Sequence, residues 1–266
     1  MMKKLLLISL VAILALTFAA CSQDSSDDNV IRIGVSPEPH GKIVELIKDN
    51  LEEEGISLEI ITFTDYVTPN TALEDGDLDA NFFQHEPYLN NFNEENGTNL
   101  VSIGGVHVEP MGLYSSKYDS IDQLEDGAEI AIPNDGTNGG RALLLLQEAG
   151  IIKLDEKAGI LATENDIIEN PKNLTFRPLE AAQLPRVLDE VDGAIINGNY
   201  ALEAGLVPTK DAILLEGKES PYANIVAVRA GEENEEKFKK LMEALQSDEV
   251  KQFIEENYEG GVVPAF

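Results

Sequence analysis

Short apolar runs alternate along this chain with stretches whose apolar residues recur at helical spacing, and that alternation leaves few folds open. Val30-Ile31-Arg32-Ile33-Gly34-Val35 reads as a strand. From Gly41 to Glu54 the residues Ile43, Leu46, Ile47 and Leu51 share a helical face, and Ile56 to Phe63 reads as a second strand. Strand, helix and strand at this pitch make the βαβ unit of an open parallel sheet. The alternation continues with a short helix from Pro69 to Glu74, a short strand from Leu78 to Phe82, a helix from Glu86 to Glu95 and a strand-rich stretch from Leu100 to Ser115. A second set follows: strand Glu129 to Ile132, helix Thr137 to Ala149, strand Leu174 to Pro178, helix Ala181 to Leu188 and buried strand Gly193 to Ile196.

A late strand, Asn224 to Val228, and one or two helices between Glu235 and Glu256 are left over. Two α/β sets with such a remainder predict two lobes, residues 30–112 plus 222–266 and residues 113–221, with the C-terminus returning to the first. Ligands of open α/β sheets sit beyond the carboxyl ends of the strands, so a ligand cleft is expected between the lobes.

The N-terminus has the charged, apolar and small-residue order of a secretion signal: Met1-Met2-Lys3-Lys4, the run Leu5 to Leu16, then Thr17-Phe18-Ala19-Ala20-Cys21. That run is too short to span a bilayer as a permanent helix. Small residues directly before a cysteine resemble the lipobox. Residues 1–20 are therefore expected to be cut away as a signal peptide, leaving lipid on the thiol of Cys21. The protein is then extracytoplasmic and held to the membrane by its lipid, with residues 21–29, polar and acidic, as a flexible tether. Cys21 is the only cysteine, which excludes disulfides within the chain and thiolate metal clusters.

Asp and Glu number 49 against 19 Lys and Arg, a net charge of -30 that disfavours nucleic acid and anionic lipid heads. The acid is scattered, as in Glu52-Glu53-Glu54 and Glu232-Glu233, and reads as a solvated surface. No apolar seam calls for an obligate dimer, so a monomer is expected.

Several stretches carry a more specific signal: Asp65-Tyr66-Val67-Thr68-Pro69-Asn70, DGDLDANFFQHEPYL from Asp75 to Leu89, IPNDGTNGGRALLLL from Ile132 to Leu146, ENP from Glu169 to Pro171, LEAAQLPRVLDEVDGAIIN from Leu179 to Asn197, and SPYANIVAVR from Ser220 to Arg229. Together and in this order they resemble the NlpA lipoprotein family, whose methionine-binding members feed an importer of the ATP-binding-cassette type. Gly136, where the family usually has proline, and the ending Pro264-Ala265-Phe266, where tryptophan is commoner, depart from the pattern. The resemblance implies a two-lobed α/β, periplasmic-binding-protein-like (type II) fold. It also implies that L-methionine or a close derivative is captured in the cleft and delivered to the importer's permease and its ATPase. Neither a cofactor nor a metal is expected, and no enzyme activity.

By the same resemblance Arg141 meets the ligand's carboxylate, since a guanidinium is a rigid fork for two oxygens. Its place in the first turn of a helix would add that helix's dipole, and Gly139 and Gly140 would leave room for close approach. Asn138, Asn197 and Asn224 carry over as polar contacts to the charged end, because an amide both donates and accepts. Asn199 is not assigned. Tyr66, Phe83, His85 and Tyr88 are the implied pocket for the side chain, where aromatic edges gain about 0.3–1.5 kcal/mol per contact with sulfur.

Two rivals of other kinds arise from the residues alone. His40, His85 and His107 with a carboxylate such as Glu86 could make an open metal site, although Arg141 would be an odd neighbour for a cation. Asp135, His85 and Ser220 could form a triad on paper, but no GxSxG elbow or phosphate-binding glycine loop accompanies them.

Overall fold

A computed structural model describes residues 29–217 and 220–266. The expected signal peptide, Cys21 and the tether as far as Asp28 lie outside the described residues. Strand β1 (Val30–Val35) opens the fold, with every residue from Ile33 to Val35 buried. The single helix expected next is two, α1 (Lys42–Leu46) and α2 (Lys48–Glu53), broken at Ile47 and entered through a wide turn at Pro37–Gly41. Ile43, Ile47 and Leu51 all stay buried across the break, so the apolar face read from the sequence still covers the sheet. Then come β2 (Ser57–Thr62), α3 (Thr68–Glu74), β3 (Ala80–His85), α4 (Glu86–Asn96) and β4 (Val101–Val108).

The stretch read as strand-rich up to Ser115 divides between two sheets. β4 belongs to the first and β5 (Gly112–Tyr114) to the second, with Glu109, Pro110 and Met111 crossing between them. The chain continues through β6 (Glu129–Pro133), α5 (Gly136–Glu148), the hairpin strands β7 (Lys153–Leu154) and β8 (Ile167–Glu169), and β9 (Thr175–Leu179). Where a helix is expected after Leu179, Ala181–Val187 forms a 3-10 run. Pro185 lies inside it; in an α-helix its ring would collide with the carbonyl four residues back, and it has no N–H to donate, which blocks the α register. Next are β10 (Gly193–Ile196), α6 (Gly198–Glu203), α7 (Pro208–Asp211) and β11 (Leu214–Leu215). A second crossing leads to β12 (Ala223–Val228), α8 (Glu236–Leu245), α9 (Asp248–Asn257) and β13 (Val263–Pro264).

The strands assemble as a six-stranded sheet in the order β13-β4-β12-β3-β1-β2 and a five-stranded sheet in the order β11-β5-β10-β6-β9. β1 pairs in parallel with β2 and β3, and β6 in parallel with β9 and β10. β12 returns antiparallel between β3 and β4, placing the C-terminal segment in the first sheet. Each sheet has its own core. Ile31, Ile33, Phe82 and Val226 pack with Phe238 and Leu241 of α8 in the first, and Leu113, Ile130 and Ile195 with Leu143 and Leu146 of α5 in the second.

Candidate ligand-binding site

Parallel strands deliver their last residues to one side of a sheet, and three such ends meet here. β3 finishes at His85, which also caps α4: its Nδ1 accepts the Tyr88 N–H at 3.1 Å. The ring proton therefore sits on Nε2, which faces Asn138 Oδ1 at 3.2 Å. β6 leads into Asp135, whose carboxylate caps α5 by accepting from the Asn138 N–H at 2.8 Å. Asn197 follows β10 and donates to Asn138 Oδ1 at 2.8 Å. Asn138 is thus not the cap. Its amide joins the ends of strands from both sheets. Burial, with the Arg141 charge beside it, lowers the His85 pKa to about 3, so the imidazole is neutral.

Upstream, a buried amide cluster fixes this end of β3. Asn70 Nδ2 donates to Gln84 Oε1 at 2.8 Å, and Gln84 Nε2 returns to Asn70 Oδ1 at 2.7 Å and to Asn81 Oδ1 at 2.9 Å. Fully paired polar groups of this kind specify a single arrangement of the core. Phe83 and Tyr88 then pack with Phe92 and Tyr66, the Tyr66 ring centroid lying 5.9 Å from both Phe83 and Tyr88.

Arg141 is buried, and its position differs from the expectation in two respects. α5 begins at Gly136, so Arg141 lies in the second turn, and Asp135 already serves the helix N-terminus. Nor is its fork open: Nε lies 3.1 Å from Glu216 Oε1 and Nη2 2.5 Å from Glu216 Oε2, while Nη2 also donates to the Glu109 carbonyl at 2.8 Å. The Tyr222 ring covers the guanidinium at 4.3 Å. Nη1 is left without a protein partner among the described residues. Gly139 and Gly140 serve packing, since a Cβ at Gly139 would meet the Pro133 carbonyl at 2.9 Å and one at Gly140 the Ile160 carbonyl at 2.2 Å.

A cavity is lined by Tyr66, Phe83, His85, Tyr88, Asn138, Arg141, Asn197 and Asn224, the eight residues that the resemblance implies for the ligand. Gln84, Glu109, Gly198 and Asn199 complete the wall. Sequence reasoning missed Glu109 and passed over Asn199; Glu109, in the stretch His107-Val108-Glu109-Pro110, carries no local sign of burial. Two buried wall atoms have no partner among the described residues: Asn197 Oδ1, an acceptor, and Asn199 Nδ2, a donor. Hydrogen bonds also span the two sides of the cleft. Tyr66 Oη donates to Asn199 Oδ1 at 2.5 Å, and Tyr200 Oη donates to the Thr64 carbonyl at 3.1 Å.

The sequence profile described as NlpA lipoprotein matches residues 31–266. The chain belongs to the NlpA lipoprotein family. It is similar to the D-methionine-binding lipoprotein MetQ of Salmonella typhimurium, 46% identical over 252 residues, 94% of this chain and 93% of that one. Among solved structures it resembles a nutrient binding protein from Burkholderia cenocepacia bound to methionine, with 50% identity and a TM-score of 0.86 over 89% of this chain and 100% of that one. Lipoprotein Tp32 from Treponema pallidum is 43% identical with a TM-score of 0.87, over 90% and 100% of the two chains. The NlpA fold is thus the two-lobed binding-protein type expected from the sequence. No helix among the described residues is long and apolar enough to cross a membrane.

Neither rival constellation assembles in this NlpA chain. His40 and His107 converge on Glu109, whereas His85 bonds Asn138 and Tyr88 and Glu86 is exposed. Ser220 Oγ accepts the Tyr222 N–H at 3.2 Å, and among the described residues His85 makes no hydrogen bond to it.

Proposed function

We propose that the protein is a lipid-anchored, extracytoplasmic solute-binding protein that captures L-methionine in this cavity and hands it to an ATP-binding-cassette importer. The observation that carries the reading is the division of one buried wall into an aromatic end and a polar end with unmatched groups. Tyr66, Phe83, His85 and Tyr88 suit a thioether, which is apolar and polarizable. Arg141 Nη1 receives the carboxylate while Glu216 holds the opposite edge of the guanidinium. Asn138, Asn197 and Asn224 answer the polar end, Asn197 Oδ1 gaining the donor that it lacks. Glu109 supplies the negative charge for the ammonium. No group is assigned to chemistry, because capture needs only closure of the lobes about the ligand. Relatives named for methionine, one of them bound to it, support the choice of ligand.

The lipid on Cys21 keeps the loaded, monomeric protein beside the permease and its ATPase, against which it docks transiently. Calorimetric titration of the unlipidated chain, unfolded and refolded to strip carried-over ligand, tests the reading. L-methionine is expected to bind more tightly than D-methionine, leucine or a methionine dipeptide. Tighter binding of leucine or a dipeptide contradicts it, and tighter binding of the D-isomer reverses the assigned handedness.

A further inference from the structure

Glu109 is a cavity-wall carboxylate whose side-chain neighbours at Oε1 are two imidazoles. Oε1 lies 2.7 Å from His107 Nε2 and 3.3 Å from His40 Nε2. Both rings are sealed in the protein, His40 at 1% and His107 at 0% exposure. They stand 4.9 Å apart, and each meets the Phe82 ring edge-on, at 4.7 Å for His40 and 5.3 Å for His107. Neither Nδ1 has a hydrogen-bond partner among the described residues. A neutral imidazole carries one proton: that of His107 Nε2 is donated to Glu109 Oε1, whereas that of His40 Nε2 goes to Asn224 Oδ1, leaving His40 beside the carboxylate at 3.3 Å. Burial agrees, lowering the His40 pKa to about 4 and the His107 pKa to about 3. His40 Nε2 also lies 2.9 Å from Asn224 Oδ1, which ties this cluster to a second wall residue.

A cationic partner would neutralise Glu109 and leave nothing for a ligand to do. Here the His107 donor is neutral, and although the Arg141 charge and the Asn199 backbone N–H favour the carboxylate, burial outweighs them and raises the Glu109 pKa, so a ligand cation beside it would stabilise the charge. The other oxygen, Oε2, points toward Gly198, where an added Cβ would come within 2.9 Å of it. A metal ion is a poorer occupant of the cluster. Two ligand atoms of one zinc stand about 3.3 Å apart in a tetrahedron with bonds of about 2.0 Å, whereas 2.7 Å is a hydrogen-bond separation.

We propose that His107 and His40 are positioning residues for the ligand's ammonium group: His107 holds Oε1 of Glu109 by its hydrogen bond, and His40, anchored to Asn224, packs beside it, so that the carboxylate is fixed in the cavity wall as the ammonium's counter-charge. The proposal rests on the amino-acid reading of the site. It predicts discrimination between methionine and its des-amino analogue, 4-(methylthio)butanoate, which keeps the thioether and the carboxylate.

Calorimetric titration of both ligands against the stripped protein and its variants tests the positioning role, with thermal unfolding confirming that each variant is folded. Glu109→Gln is expected to lose about 10- to 100-fold in methionine affinity, the range for a hydrogen bond to a charged group, and little for the analogue. His107→Leu and His40→Leu are expected to shift the same ratio in the same direction. His107→Gln, whose side-chain amide can reach the same oxygen, recovers most of it. A residue that merely fills the core would weaken both ligands alike. Equal losses for the two ligands in the histidine variants overturn the proposal, as does unchanged methionine affinity in Glu109→Gln or zinc bound stoichiometrically and lost in His107→Leu. A wild-type protein that binds neither ligand sinks the amino-acid reading and the positioning role with it. If the folding check excludes His107→Leu, the Glu109→Gln and His40→Leu comparisons still decide.

Discussion

At the scale of single residues, Arg141 and Asn224 carry the sharpest expectations. Arg141 is the wall's only cation, and its burial means that no solvent shell substitutes for a lost partner. Arg141→Ala removes the ligand's partner and strands Glu216 without its own, while Asn224→Ala removes a wall amide that also bonds His40 at 2.9 Å. Each is expected to weaken methionine binding by at least about 1.5–3 kcal/mol, measured by titration, and unchanged affinity in both would show that neither touches the ligand. The wall aromatics and amides were legible in the sequence because they stand inside long motifs. Glu109 and Glu216 were not. Their roles depend on partners far along the chain, Glu216 on Arg141 at a separation of 75 residues, and an acid in a chain this acidic reads as surface.

Among the elements, α5 shows how local rules and tertiary contacts divide the work. Its start is set by the Asp135 cap, which a helix read from Thr137 does not name, whereas its apolar stripe of Leu143 and Leu146 is readable from residue spacing. Its glycines are not explained that way, since glycine weakens a helix interior. The reason is the backbone of 159–161, which lies against the helix so closely that a Cβ at Gly140 would sit 2.2 Å from the Ile160 carbonyl. Gly140→Ala is expected to destabilise the protein by about 1–3 kcal/mol despite the better helix propensity of alanine, which chemical denaturation would measure. An equal or higher midpoint would show that the 159–161 segment gives way without cost. The same division explains the 3-10 run at Ala181–Val187: its spacing imitates a helix, and Pro185 forbids the α form. The buried strand β10 was plain from the sequence because Gly193-Ala194-Ile195-Ile196 is apolar throughout and bounded by polar residues.

On the scale of the whole molecule, the chain crosses between the sheets at Glu109–Met111 and again between Glu216 and Tyr222, and both crossings touch Arg141. One cation, carried by α5, therefore meets both connections between the sheets. A ligand carboxylate at Nη1 would sit where the two connections meet, and Tyr66–Asn199 and Tyr200–Thr64 bond across the cleft beside it. The proposed ligand therefore has one direction: sulfur among the aromatics, carboxylate at Arg141, ammonium at Glu109. Selenomethionine soaked into crystals of stripped protein tests that direction most directly, because its selenium is located by anomalous scattering. A single strong peak within van der Waals contact of Tyr66, Phe83 and Tyr88 is expected. A peak beside Arg141 and Glu109, or none in the cavity, would contradict it.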